Sequence, residues 1–113
     1  MVVEKRRIGE DTLLVVEGVI KLGESAQFLA RTLERVLEEE SGSVLIDLAG
    51  INTIDSTGIG ELVGYLGRFH EVQRKLVLVR PSERIRRLLE VAQLDSLFLI
   101  RDDLESALAA ARD

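Results

Sequence analysis

Along the chain the spacing of hydrophobic positions changes several times, and each change marks an element. Val2 to Ile8 and Thr12 to Val19 are extended runs meeting at Gly9-Glu10-Asp11, the first diluted by Glu4, Lys5, Arg6 and Arg7, and they predict an N-terminal hairpin. Leu22, Ala26, Leu29, Leu33, Val36 and Leu37 then recur every three or four residues, so Gly23 to Glu40 reads as an amphipathic helix with Gly42 just past its end. Ser43-Val44-Leu45-Ile46-Asp47-Leu48 is a nearly unbroken apolar run that stops at Ala49-Gly50, the signature of a strand buried on both faces. Ile59, Leu62, Val63, Leu66 and His70 predict a second helix from about Thr57 to Gln73, with His70 on its apolar side. Leu76-Val77-Leu78-Val79 is another short buried strand, stopped by Arg80-Pro81. Ser82 caps a helix carrying Ile85, Leu88, Leu89 and Ala92, Leu97 to Ile100 forms a last strand, and Asp102-Asp103 open a terminal helix through Leu104, Leu108 and Ala111.

The order ββαβαβαβα predicts the α/β class: a mixed sheet whose first two strands form a hairpin and whose later strands are parallel, packed with about four helices. The length of 113 residues suits one domain, residues 1–113, and 46% hydrophobic with 31% charged residues is globular composition. No internal repeat interrupts it.

Composition narrows the chemistry. The chain has no cysteine, and no His or carboxylate cluster at ligand spacing, so no metal and no cofactor is expected. With 20 acidic against 15 basic residues the net charge is -5, and only 4% of residues are aromatic; both features oppose nucleic acid as a partner. The N-terminus has no signal-peptide segment and no run is long enough to cross a bilayer, so a cytoplasmic location without membrane insertion is expected.

Chemistry concentrates in Asp55-Ser56-Thr57-Gly58-Ile59-Gly60, between the central strand and the second helix, with Ser56 at or just before the helix N-terminus. As a nucleophile Ser56 would need a general base, yet the only histidine, His70, lies along the same predicted helix at roughly 20 Å. Ile54 also replaces the first glycine of G-x-S-x-G, so a serine hydrolase is rejected. Two roles stay open. Ser56 can be an ordinary cap, sharing that role with Asp55 and Thr57 as neighbouring candidates. It can instead accept a phosphoryl group, which helix N–H groups and the positive dipole end would tolerate and which would repel a partner fitted to the neutral hydroxyl.

Gly60, Gly64 and Gly67 fall on one strip of the second helix, predicting close approach of a neighbouring backbone, either the chain's own sheet or a partner. Arg80, Arg84, Arg86 and Arg87 gather positive charge around the third helix, as a solvated face or as an anion or partner site. No P-loop pattern and no Mg²⁺-ligand cluster supports a phosphoryl-transfer enzyme.

The run Ile54 to Leu62, set after Val44 to Leu48 and before Lys75 to Val79, resembles the STAS domain of bacterial anti-sigma factor antagonists over nearly the whole chain. In that family the serine of a D-S-[ST]-G-[LIV]-G motif is phosphorylated by an anti-sigma factor that is itself a serine kinase. The resemblance therefore implies phosphorylation at Ser56, with Asp55, Thr57, Gly58, Ile59, Gly60, Gly64 and Lys21 as its partner-binding neighbourhood. It further implies partner switching: the unphosphorylated form captures the anti-sigma factor and frees a sigma factor, the phosphorylated form lets go, and a PP2C-type phosphatase resets it. The domain is then a substrate and binding module, not an enzyme. Alternatives are a constitutive STAS interaction module of a sensory or transport complex, or a STAS domain that binds a nucleotide or small ligand. One position departs from the family: where many members carry G-x-[LIV]-D, this chain has Gly18-Val19-Ile20-Lys21. Lysine replaces the acid and makes an internal counter-ion for a phosphate at Ser56 a hypothesis to test.

Overall fold

Gly9 turns the chain with φ of 62°, a conformation open to a residue without a Cβ, and the hairpin that follows starts a five-stranded sheet. The computed structural model describes residues 1–113. Its elements are β1 (Val2–Ile8), β2 (Asp11–Ile20), α1 (Glu24–Glu39), β3 (Val44–Ile54), α2 (Ser56–Glu71), β4 (Leu76–Val79), α3 (Glu83–Val91), β5 (Leu99–Arg101) and α4 (Leu104–Arg112). Strands lie in sequence order, β1-β2-β3-β4-β5; β1 pairs antiparallel with β2, and every later pair is parallel. This is the mixed α/β architecture expected, with four helices.

Because each parallel pair is joined through a helix, the central strands are buried on both sides. Leu14, Val16, Val44, Ile46, Leu76 and Leu78 face α1, α2 and α3, meeting Leu29, Leu33, Leu62, Phe69, Ile85 and Leu89 in the main core. Leu13, Leu45, Val77 and Val79 face the other way, against Ala107 of α4. This two-sided burial is why β3 and β4 read as continuous apolar runs.

Several boundaries and faces differ from expectation. β3 does not stop at Leu48 but continues to Ile54, with Ile51 and Ile54 buried. Ala49-Gly50 is a register shift, not a terminator: a Cβ on Gly50 would stand 2.8 Å from Cγ of Glu17, so the glycine admits the neighbouring strand. β5 is Leu99–Arg101 and not Leu97 to Ile100, and Leu97 is exposed before it. Leu22 lies outside α1, exposed in the preceding loop. In α4 the fully packed positions are Ala107 and Ala110, while Leu104, Leu108 and Ala111 are half-buried beside them. His70 is not on the buried face; it is exposed, and Phe69 fills the core in its place.

α1 has no basic residue in its last turn, and the cation its terminal carbonyls favour comes from another segment. Arg74 donates to the carbonyls of Leu37 at 3.0 Å, Val36 at 3.2 Å and Gly42, with its guanidinium over the Phe69 ring at 4.7 Å.

Candidate functional site

β3 delivers the chain to α2 through a single residue, Asp55, in extended conformation at the helix N-cap. Both carboxylate oxygens are committed: Oδ1 accepts from Gly58 N–H at 2.9 Å, and Oδ2 accepts from Leu22 N–H at 2.8 Å. Asp55 N–H in turn donates to the Ile20 carbonyl at 3.0 Å. The Gly58 amide first, and the Leu22 amide second, hold the Asp55 carboxyl below the usual carboxylate range, so it is anionic at neutral pH.

Asp55 is thus the cap, and the two residues after it are released from that duty. Ser56 is the first helical residue, exposed, and its hydroxyl makes no hydrogen bond within the chain. Thr57 is half-buried and lines a shallow groove of about 400 Å³ between α1 and α2 with Leu22, Gly23, Ala26, Arg31 and Glu61. Leu22 is 75% exposed at the rim. Hydrophobic periodicity concealed this surface by assigning Leu22 to the buried side of α1; the signal that could have found it is Gly23 directly after it, a poor interior helix residue.

Gly58 is buried because the first turn of α2 presses onto the ends of β2 and β3. A Cβ there would lie 2.7 Å from side-chain carbons of both Ile20 and Ile54 and 3.1 Å from the Ile20 carbonyl. Ile59 is half-buried against the main core. Gly60, Gly64 and Gly67 are different: each is exposed, and an added Cβ would meet nothing within 4 Å. Close packing of that strip on the chain's own sheet is therefore excluded.

Lys21 lies in the loop between β2 and α1. Its N–H donates to Ser25 Oγ at 2.9 Å, and its carbonyl accepts from Ala26 N–H at 3.1 Å and from Ser25 Oγ at 3.1 Å. Its side chain is exposed and joins no ion pair. Of the four arginines around α3, Arg80 pairs with the buried Asp47 and Arg86 with Asp102. Only Arg84 and Arg87 remain without an acidic partner, beside Leu88 and Val91 in a shallow concavity of about 380 Å³.

His70 stands fourteen residues further along α2, about 20 Å from Ser56, and brings no base to it. No group of three or more His, Asp or Glu side chains is placed to hold a metal ion. The site is an unbonded hydroxyl at the N-terminus of a 16-residue helix, beside an amide-locked carboxylate. It can accept a group or be read by a surface; nothing beside it activates the hydroxyl as a nucleophile.

A family model described as the STAS domain matches residues 2–107. An anti-sigma-B factor antagonist of Staphylococcus epidermidis is 32% identical over 87 residues, covering 74% of this chain and 81% of that protein. Among solved structures, an anti-sigma-factor antagonist (STAS) domain protein from Planctomyces limnophilus superposes with a TM-score of 0.83 at 20% identity, covering 98% of each chain. The Bacillus cell fate determinant SpoIIAA in its phosphorylated form superposes with a TM-score of 0.75 at 14% identity, covering 96% of this chain and 98% of that one. Both of these structural likenesses are likenesses of fold.

Proposed function

This chain belongs to the STAS domain family, and we propose that it is an anti-sigma factor antagonist that switches partners at Ser56. Unphosphorylated, it binds an anti-sigma factor serine kinase and so releases a sigma factor; phosphorylation of Ser56 abolishes that binding, and a PP2C-type phosphatase restores it. Asp55, Thr57, Gly58, Ile59, Gly60, Gly64 and Lys21 form the neighbourhood the partner reads. The ATP chemistry belongs to the kinase, and this chain is its substrate. The pathway operates in the cytoplasm; in this chain no helix is long and apolar enough to cross a membrane.

The observation that carries this reading is the division of roles between neighbours: Asp55 caps the helix, which leaves the Ser56 hydroxyl exposed and unbonded. A phosphoryl group there adds a charge of about -1.5 to -2 at a helix end whose N–H groups and dipole favour an anion. The fold then needs no rearrangement, and a surface fitted to the neutral hydroxyl meets charge instead. The relative from Staphylococcus epidermidis, an anti-sigma-B factor antagonist, and SpoIIAA, solved in a phosphorylated form, support the same direction.

The test is incubation with ATP and the candidate anti-sigma kinases of the same organism, followed by intact-mass measurement. Wild type gains one phosphoryl group and Ser56→Ala gains none. If no candidate kinase modifies wild type, and one binds Ser56→Asp as tightly as wild type, the switch gives way to constitutive binding.

A further inference from the structure

The loop that carries Lys21 is fastened to the residue before Ser56 from both sides. Asp55 N–H donates to the Ile20 carbonyl at 3.0 Å, and Leu22 N–H donates to Asp55 Oδ2 at 2.8 Å, so the two bonds bracket Lys21. Parallel pairing of β2 with β3 ends at Ile20 opposite Ile54, so residues 21 and 55 leave the sheet side by side, at an inter-strand spacing of about 4.8 Å. Ser25 and Ala26 hold the Lys21 backbone in turn. The base of the lysine side chain is therefore fixed next to the phosphosite, while its ammonium is free of any ion pair and sits on a flexible four-carbon stem.

Among the other charges at this corner only Arg31 has the sign to take its place. Asp55 is spent on two amides and is anionic; Glu24 of α1 and Glu61 of α2 carry the same sign as a phosphate. Arg31 lines the groove with Thr57 and Glu61 and is the competing cation. Building on the assignment of Ser56 as phosphoacceptor, we propose that Lys21 pairs with the phosphoryl group of phospho-Ser56 and sets how much of its charge a partner meets. Modification then weakens partner binding by a smaller factor than it would if position 21 were neutral or acidic.

Phosphoserine incorporated at position 56 during translation removes the need for any kinase, and ³¹P NMR titration of the full chain reads the pKa of its second ionisation. A nearby cation favours the dianion and lowers that pKa from its ordinary value of about 6. The expected value for wild type is about half a unit below that of Lys21→Ala at low salt, with the gap shrinking in 1 M salt. Lys21→Arg retains the lowered value, and Arg31→Ala leaves it in place. Equal values for wild type and Lys21→Ala, or a shift in Arg31→Ala as large as in Lys21→Ala, would overturn the pairing. The two proposals fail separately: an absent kinase defeats the switch and leaves this titration unchanged, whereas equal pKa values defeat only the lysine.

Discussion

The two edges of the parallel sheet treat polar groups in opposite ways. At the edge where the strands begin, Asp11 Oδ1 accepts from Ser43 N–H at 3.0 Å, Ser43 Oγ accepts from Lys75 N–H at 2.9 Å, and Arg7 donates to Thr12 Oγ1 at 2.6 Å. Arg74 completes that edge by closing the end of α1. At the edge where the strands finish, Ser56 has an unbonded hydroxyl, Lys21 an unpaired charge, and Leu22 lies open to water. Polar side chains at the first edge replace water for buried backbone groups and hold the fold; at the second only Asp55 does so, while the Ser56 hydroxyl and the Lys21 ammonium stay open to solvent, at the carboxyl ends of parallel strands where open α/β sheets commonly bind ligands.

Substitutions that break this contrast should differ in size. The largest effect is expected from Gly42→Ala at the closed edge, where φ of 77° strains any side chain and a Cβ would collide with the Glu10 carbonyl. It should lower stability by about 3 kcal/mol in urea unfolding. Arg74→Ala, which frees three carbonyls and uncovers Phe69, should cost about 2 kcal/mol in the same measurement, without altering the phosphorylation rate of the folded protein.

Along α2, which leads away from the open edge, the sign reverses. Gly64→Ala places a methyl group where nothing stands within 4 Å, so it should stabilise the helix by about 1 kcal/mol. The same substitution should weaken binding of the anti-sigma kinase; unchanged binding would remove the glycine strip from the partner surface.

The smallest effect concerns Asp55, whose carboxyl has a lowered pKa in the folded state. A group of that kind contributes stability above its unfolded pKa and loses the contribution as pH falls through its folded pKa. The stability gap between wild type and Asp55→Ala should therefore be full at pH 7 and narrow below about pH 4. A gap that stays constant down to pH 2 would mean that the charge on the cap contributes nothing.

Element order was legible because strands buried on both faces lack polar alternation, and the parallel arrangement followed from it. The face of α2 was not. Its buried line runs through Gly58, Leu62 and Phe69, and Gly58 is silent in any hydrophobic pattern. Ile59, Val63 and Leu66, with His70, lie about 100° further round the helix and looked like the centre when they are its flank. Position 50 misled for a related reason, since a glycine that admits a neighbouring strand resembles one that ends a strand. At the site, the motif from Asp55 to Gly60 was plain in the sequence. Which of its residues caps the helix was not, because Asp55, Ser56 and Thr57 are all able caps; what holds the Asp55 carboxylate in place is a second bond from Leu22, 33 positions away.

β1 lies at the border of the sheet, and its outer backbone groups have no neighbouring strand. Such a border invites any extended peptide to add itself, and Glu4, Lys5, Arg6 and Arg7 occupy four consecutive positions of it. A newcomer would have to strip water from those charges before it could pair. The same residues that blurred the hairpin in the sequence therefore act as a fence on this border, while the opposite border is kept short, since β5 offers only Leu99–Arg101 to a newcomer.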